Sequence, residues 1–306
     1  VWRAPRGERI LGPTPGLGVS LKPMHIVEIG DAVSGTVRLG EGLPLAWICG
    51  PCVIEKQPLM AMTAERLKKL SEKLRVPVIF KSSYSKDNRS DELSYQGPGL
   101  DDGLEMLAWI RKEFELPVLS DVHSVEEIAA AREVLDVIQI PAFLCQQTSL
   151  LIAAGKSGKP VNVKKGQFMA PASMKHPIGK IERTGNQRIL ITERGAQFGY
   201  HNLVADMTAI PVMKEIGYPV VFDAGHQVRR YGIPSTDPAG GAPREFIPVL
   251  LRSAVAAGAN GVFLETHPKP AEALCDAASQ FPLDQLEELM MQAGALAELI
   301  RGQGHA

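Results

Sequence analysis

The chain has 306 residues, 45% of them hydrophobic, enough to bury a sizeable core, and its 33 Lys and Arg nearly balance its 34 Asp and Glu. No global charge draws it toward nucleic acid or an anionic membrane, so basic residues matter only where they cluster. No apolar run approaches the length of a membrane span, no secretory leader is legible, and four cysteines are too few to staple the chain, so a cytoplasmic protein with free or metal-bound thiols is expected.

Residues 1–23 carry four Pro and four Gly without periodicity and read as a disordered tail, with Met24 a candidate start. Residues 24–306 are expected to form one domain. His25 to Arg38 holds two short alternating runs around Gly30-Asp31, the pattern of a hairpin able to plug a barrel floor. Eight short apolar runs follow, rich in β-branched residues: Leu45 to Ile48, Val76 to Phe80, Pro117 to Ser120, Val137 to Ile140, Val161 to Val163, Ile189 to Thr192, Pro219 to Phe222 and Gly261 to Leu264. Helical periodicity is clear over Met60 to Leu74, Leu104 to Phe114, Val125 to Val134, Arg244 to Ala257 and Leu283 to Ile300. Ser82 to Asp102, Met169 to Gly185 and Gln227 to Pro243 read as long loops of the kind that bind substrate. The alternation predicts an α/β fold, a (β/α)8 TIM barrel with an N-terminal β-hairpin, and places the chemistry at the C-terminal strand ends.

Four potential metal ligands fall at those ends. Cys52 follows the first run, His226 the seventh and Glu265 the eighth, and Asp276 lies in the next loop. Barrel closure makes these strands neighbours, and a thiolate, an imidazole and two carboxylates together suit Zn, Fe or Mn with a position left open. Each residue alone is more simply an ordinary strand-end group; their convergence favours the metal. A second set is cationic: Lys81, Lys86, Arg89, Lys164, Lys165 and Arg194, with Ser83, Asn88 and Ser90 as hydrogen-bonding neighbours. Aimed into one cavity, they would hold a multiply charged anion. Lys165 and Lys180 fit a solvated surface better, and Cys145 and Cys275 fit structural burial. His123 either lines the cavity or is structural. Cys49-Gly50-Pro51-Cys52 has the spelling of a thiol–disulfide motif, but no clear helix follows it. Oxidation could join Cys49 to Cys52 only if the Gly50-Pro51 turn brings them close.

Longer runs carry a family resemblance. GPCVIE (50–55), FKSSYSKDNRS (80–90), SDVHS (120–124), VNVKKGQFMAP (161–171), FDAGH (222–226) and ETHPKPAEALCDAASQFPLDQLEEL (265–289) resemble the 3-deoxy-D-manno-octulosonate 8-phosphate synthases, also called 2-dehydro-3-deoxyphosphooctonate aldolases, in their metal-dependent class. The resemblance implies a transferase that condenses phosphoenolpyruvate with D-arabinose 5-phosphate in lipopolysaccharide precursor synthesis. It implies Cys52, His226, Glu265 and Asp276 as metal ligands. Lys81, Ser83, Lys86, Lys164 and Arg194, with Gln139 nearby, would hold phosphoenolpyruvate, and Asn88, Arg89 and Ser90 the sugar phosphate. Lys86, Lys164 and His226 would be the catalytic residues, and the assembly a homotetramer with sites near its interfaces.

The match departs at five positions. Gln96, Gln146 and Thr208 stand where the family usually has Arg, Ser149 where it has Asp, and Arg229 where it has Gln. The Arg replaced by Gln146 reaches the sugar phosphate across a subunit interface in the family. Its loss should weaken that contact by about 1.5–3 kcal/mol unless Arg229 or Arg230 substitutes. Two other readings stay open: a paralogue using a different aldose, and a thiol-redox or non-catalytic barrel protein.

Overall fold

Eight parallel strands close into a barrel in this computed structural model, which describes residues 23–89, 93–200, 202–230, 233, 234, 237 and 241–302. The tail expected over residues 1–23 lies, save Pro23, outside the described residues. The chain enters as an antiparallel pair, β1 (Val27–Asp31) and β2 (Gly35–Leu39), registered Val27 to Leu39. Asp31 Oδ1 accepts the Val33 and Ser34 N–H groups in the turn, and Gly35 takes the positive φ that closes it.

The barrel strands are β3 (Ala46–Gly50), β4 (Val78–Lys81), β5 (Val118–Asp121), β6 (Val137–Ile140), β7 (Val161–Lys164), β8 (Ile189–Glu193), β9 (Val220–Asp223) and β10 (Gly261–His267). Each pairs with the next in chain order, and β10 pairs with both β9 and β3, which closes the ring. All eight are buried along their length, as strands sandwiched between a barrel interior and an outer helical layer must be. A two-residue strand, β11 (Phe281–Pro282), adds beside the end of β10.

The hairpin plugs the barrel floor as the sequence suggested. Val27, Ile29, Val37 and Leu39 form one apolar cluster with the barrel-strand residues Ile48, Ile79, Leu119, Val137, Leu190, Val221 and Phe263. His25 stacks on Tyr218, just before β9, with ring centroids 4.6 Å apart. With that end closed, access to the barrel interior is from the C-terminal strand ends.

Helices α1 (Gln57–Leu74), α2 (Leu100–Glu113), α3 (Ile128–Val134), α4 (Thr148–Lys156), α5 (Lys175–Glu182), α6 (Ala209–Lys214), α7 (Ile247–Ala256) and α8 (Leu286–Gly302) form the outer layer. On α1, Met60, Ala64, Leu67 and Leu70 make the buried stripe that a 3.6-residue period requires. The structure corrects the loop expected over Met169 to Gly185, most of which is a 3-10 turn (Pro171–Met174) continuing into α5. Pro177 and Gly179 disguise this helix. The proline sits in its first turn, where its missing N–H has no intrahelical acceptor to lose, while Ile178 and Ile181 are buried and Gly185, at φ 90°, follows the end. No helix among the described residues is long and apolar enough to cross a membrane.

One close approach at the top of the barrel fixes the loop after β3. A Cβ on Gly50 would lie 2.1 Å from the Lys81 carbonyl oxygen, so only glycine lets β3 and β4 run this close. Beyond it, Ser83 N–H donates to Cys52 O at 3.2 Å and Ile54 N–H to Ser83 O at 2.9 Å, extending the pairing past the strands. Cys52 and Ser83 are thereby held at the rim.

Candidate active site

The four expected metal ligands meet over β9, β10 and β3. His226 Nε2 lies 3.8 Å from Glu265 Oε2 and 3.5 Å from Asp276 Oδ2, and Cys52 Sγ lies 3.4 Å from the same Asp276 oxygen. All four are buried. His226 Nδ1 sits 2.8 Å from Asp223 Oδ2, which fixes the tautomer and leaves Nε2 to face the cluster, the outer-shell arrangement usual for a ligating histidine. Asp276 takes a left-handed φ of 49°, and its carbonyl accepts the Ser279 and Gln280 N–H groups, so backbone strain is held in place to aim its carboxylate. Two triads able to hold a metal ion share Asp276, one with Cys52 and Cys275 and the other with His226 and Glu265, and thiolate, imidazole and carboxylate donors of this kind suit a divalent transition metal.

Cations gather around the carboxylates. Lys81 Nζ lies 2.5 Å from Glu265 Oε1, Lys86 Nζ 3.8 Å from the same atom, and Arg229 Nη1 2.8 Å from Asp276 Oδ1. Burial alone would raise the Glu265 carboxyl, but Lys81, His226 and Lys86 outweigh it and bring it down to about 2. Burial likewise opposes, and Arg229 and His226 overcome it, in holding Asp276 well below the usual carboxylate range. Burial pushes the Cys52 thiol up, and Cys275 adds to the shift.

Lys164 and Arg194 stand at the ends of β7 and β8, across the barrel from Lys81. Together with Lys81, Lys86, Gln139 and Glu265 they line an inner chamber of about 40 Å³, which adjoins an outer one of about 190 Å³ containing Asn88 and Arg89. Lys164 Nζ lies 2.6 Å from Asp223 Oδ2 and 3.7 Å from the Phe263 ring centroid. Asp223 therefore joins the two expected centres, holding Lys164 and His226 on one carboxylate. Burial would raise its pKa, and its contacts with His226 and Lys164 drive it far down instead. Beneath them Asn162 Nδ2 donates to Gln139 Oε1 at 2.9 Å and Thr192 Oγ1 to Asn162 Oδ1 at 2.7 Å, an inward polar layer that orients Gln139. Ser83 Oγ donates to Asp121 Oδ1, and Ser90 lies outside the described residues.

Most of the chain resembles known proteins. The sequence profile of the DAHP synthetase I family matches residues 23–301. The chain belongs to the DAHP synthetase I family. Among its relatives, the 2-dehydro-3-deoxyphosphooctonate aldolases of Trichlorobacter lovleyi and Geobacter metallireducens are each 49% identical over 267 residues, 87% of this chain and 97% of theirs. The protein of the same name from Geobacter sulfurreducens is 46% identical over the same shares.

Several residues of this family member escaped sequence reasoning. Lys165, expected at a solvated surface, is 1% exposed, and its Nζ lies 3.5 Å from Glu193 Oε1, itself 1% exposed, and 3.1 Å from Gly195 O. Strand alternation explains the error: Lys164 points into the barrel, so Lys165 points out beneath the helical layer rather than into water. The Lys165–Glu193 pair ties together the C-terminal ends of β7 and β8, where Lys164 and Arg194 stand. Lys165→Met is expected to destabilise the protein by about 3–5 kcal/mol, because it strands a buried carboxylate. Adding Glu193→Gln should restore most of that loss in thermal unfolding; additive losses would show that the pair does not act as a unit.

Cys275 was expected to be merely structural, yet its Sγ is 3.1 Å from Cys52 Sγ, and Gln280 bridges the two residues, accepting from Cys52 N–H and donating to the Cys275 carbonyl. Cys49 instead packs in the outer apolar core, apart from the cluster of Cys52, Val53 and Cys275, and all four cysteines are free. The sulfur neighbouring Cys52 is thus Cys275, which lies far away in sequence and gave no local signal.

His123 lines neither chamber. Its Nε2 lies 3.2 Å from Asp121 Oδ2 and its Nδ1 3.7 Å from Glu127 Oε2, and these partners, working against burial, raise its pKa to about 10. A raised folded-state value contributes stability that is complete below the unfolded pKa, near 6.5, and is lost as pH rises through 10. Wild-type stability is expected to fall across that window by on the order of 4 kcal/mol, and His123→Asn to flatten the slope. Equal slopes in the two proteins would show that the ring is neutral.

Proposed function

We propose that the protein condenses phosphoenolpyruvate with D-arabinose 5-phosphate and water, giving 3-deoxy-D-manno-octulosonate 8-phosphate and phosphate, in lipopolysaccharide precursor synthesis. The observation that carries this is Asp223, which couples Lys164 at 2.6 Å to the imidazole of the His226, Glu265 and Asp276 triad at 2.8 Å. A site so built handles an anionic substrate and a polarised oxygen at once.

In the reaction, carbon 3 of the enol attacks the aldehyde carbon, positive charge develops at carbon 2, water adds there, and phosphate leaves. Lys164 and Arg194 bind the carboxylate and phosphate of phosphoenolpyruvate, with Lys81 and Gln139 completing the inner chamber and Ser83 acting from behind its wall by holding Asp121, so the enol is oriented and kept from early hydrolysis. Lys86, beside Glu265, donates a proton or stabilises charge, and Asn88, Arg89 and Ser90 take the sugar phosphate. Cys52, His226 through Nε2, Glu265 and Asp276 would hold a divalent ion of the Zn, Fe or Mn group. When bound, such an ion supplies electrostatic polarisation of the aldehyde or of a water. Asp223 keeps His226 in the tautomer that presents Nε2 and keeps Lys164 charged against its burial.

The four free, buried thiols suit a reducing compartment, in keeping with action in the cytoplasm on small molecules, without nucleic acid or membrane partners, as a homotetramer. The test is phosphate release from phosphoenolpyruvate across a panel of aldoses and aldose phosphates. Preference for arabinose 5-phosphate supports the reading; release with a different aldose alone moves the protein to a paralogous reaction.

A further inference from the structure

The outer chamber is strongly cationic, and two of its cations, Arg229 and Arg230, have no part in the machinery assigned so far. Lys86, Arg89, Arg194, Arg229 and Arg230 face it, against a single carboxylate, Asp276, among the described residues. Arg89 and Arg229 are anchored on consecutive residues: Arg89 Nη1 donates to Cys275 Sγ at 2.6 Å, and Arg229 Nη1 to Asp276 Oδ1 at 2.8 Å. Two guanidinium groups held on one dipeptide at the mouth of one chamber repel each other unless they share an anion. Asp276 is a poor lasting partner for Arg229, because the same carboxylate belongs to the ligand cluster.

The backbone fixes the loop that presents Arg229. The neighbouring Arg230 N–H donates to Gly241 O at 3.0 Å, and Arg230 forms an antiparallel bridge with Asn202. Gln146 lines neither chamber, and its carbonyl accepts from Lys180 Nζ at 2.9 Å.

We propose that Arg229 is the second cation for the phosphate ester of the aldose substrate, acting opposite Arg89, and that it sets the preference for a phosphorylated aldose. This rests on the condensation reading above. A fork of N–H donors suits a dianionic phosphate, which can take one guanidinium on each side.

The test compares wild type with Arg229→Gln and Arg229→Lys, using arabinose 5-phosphate, phosphoenolpyruvate, and inorganic phosphate as a competitor of the sugar phosphate. Arg229→Gln is expected to raise KM for arabinose 5-phosphate about 10- to 100-fold. The inhibition constant of inorganic phosphate should rise in step, KM for phosphoenolpyruvate should stay within about twofold, and bound metal should stay at the wild-type level. Arg229→Lys, a point charge without the fork, should fall between. An unchanged KM for the sugar phosphate overturns the proposal, as does a parallel rise for both substrates or a loss of metal. If wild type releases phosphate with arabinose 5-phosphate, these outcomes bear on Arg229 alone. If wild type releases none, the condensation reading fails first and the proposal with it.

Discussion

Treatment with a chelator is expected to lower phosphate release by about a thousandfold or more, with recovery on adding Mn, Fe or Zn. The magnitude follows from the several kcal/mol that a bound ion contributes where charge changes, at about 1.4 kcal/mol per tenfold. Cys52→Ser should reproduce the loss while leaving the fold intact, because Cys52 N–H and its carbonyl keep their bonds to Gln280 and to Ser83 and Lys81. Bound metal measured directly should fall below stoichiometric. Metal uptake should also release a proton, since the buried Cys52 thiol is pushed up and must lose its proton to ligate, so affinity should rise with pH. Full activity in chelator with no bound metal would remove the ion from the mechanism and leave the cluster an unusual set of buried acids.

Lys164→Met is expected to lower kcat/KM for phosphoenolpyruvate by roughly a thousandfold, the scale of losing a preorganised charge on the reacting substrate. Burial lowers the Lys164 pKa while Asp223 and Glu265 oppose that, and the 2.6 Å contact with Asp223 keeps the ammonium aimed into the inner chamber. The substitution also deprives the buried Asp223 of its close ammonium partner, so a stability loss of about 3–5 kcal/mol should accompany it, and assays belong well below the unfolding temperature. The kinetic signature separates two roles. Loss of phosphoenolpyruvate binding marks Lys164 as an anchor, whereas retained binding with a fallen kcat marks it as a proton donor. Near-wild-type kinetics for both substrates would exclude Lys164 from the site.

The sequence by itself determined the fold class and the hairpin, and it named most of the side chains that meet in the candidate site. Buried parallel strands must be short and continuously apolar, so β3 through β10 announce themselves, and the polar residue ending each run falls where a barrel keeps its chemistry. Short helices were less legible, since α5 and α6 contain Pro177 and Pro211 in their first turns and too few residues to establish a period. Only the tertiary structure decided which charges meet. Cys52 and Asp276 stand 224 residues apart, and nothing in either local sequence says that Asp276 is shared by His226, Cys52 and Arg229. Asp223 reads as one more strand end until barrel closure sets it between Lys164 and His226, and Lys165 reads as solvated until strand alternation turns it beneath the helices. Hydrophobic patterning is a local property and survives in the sequence; distances between charges depend on how the ring closes, and exist only once it has.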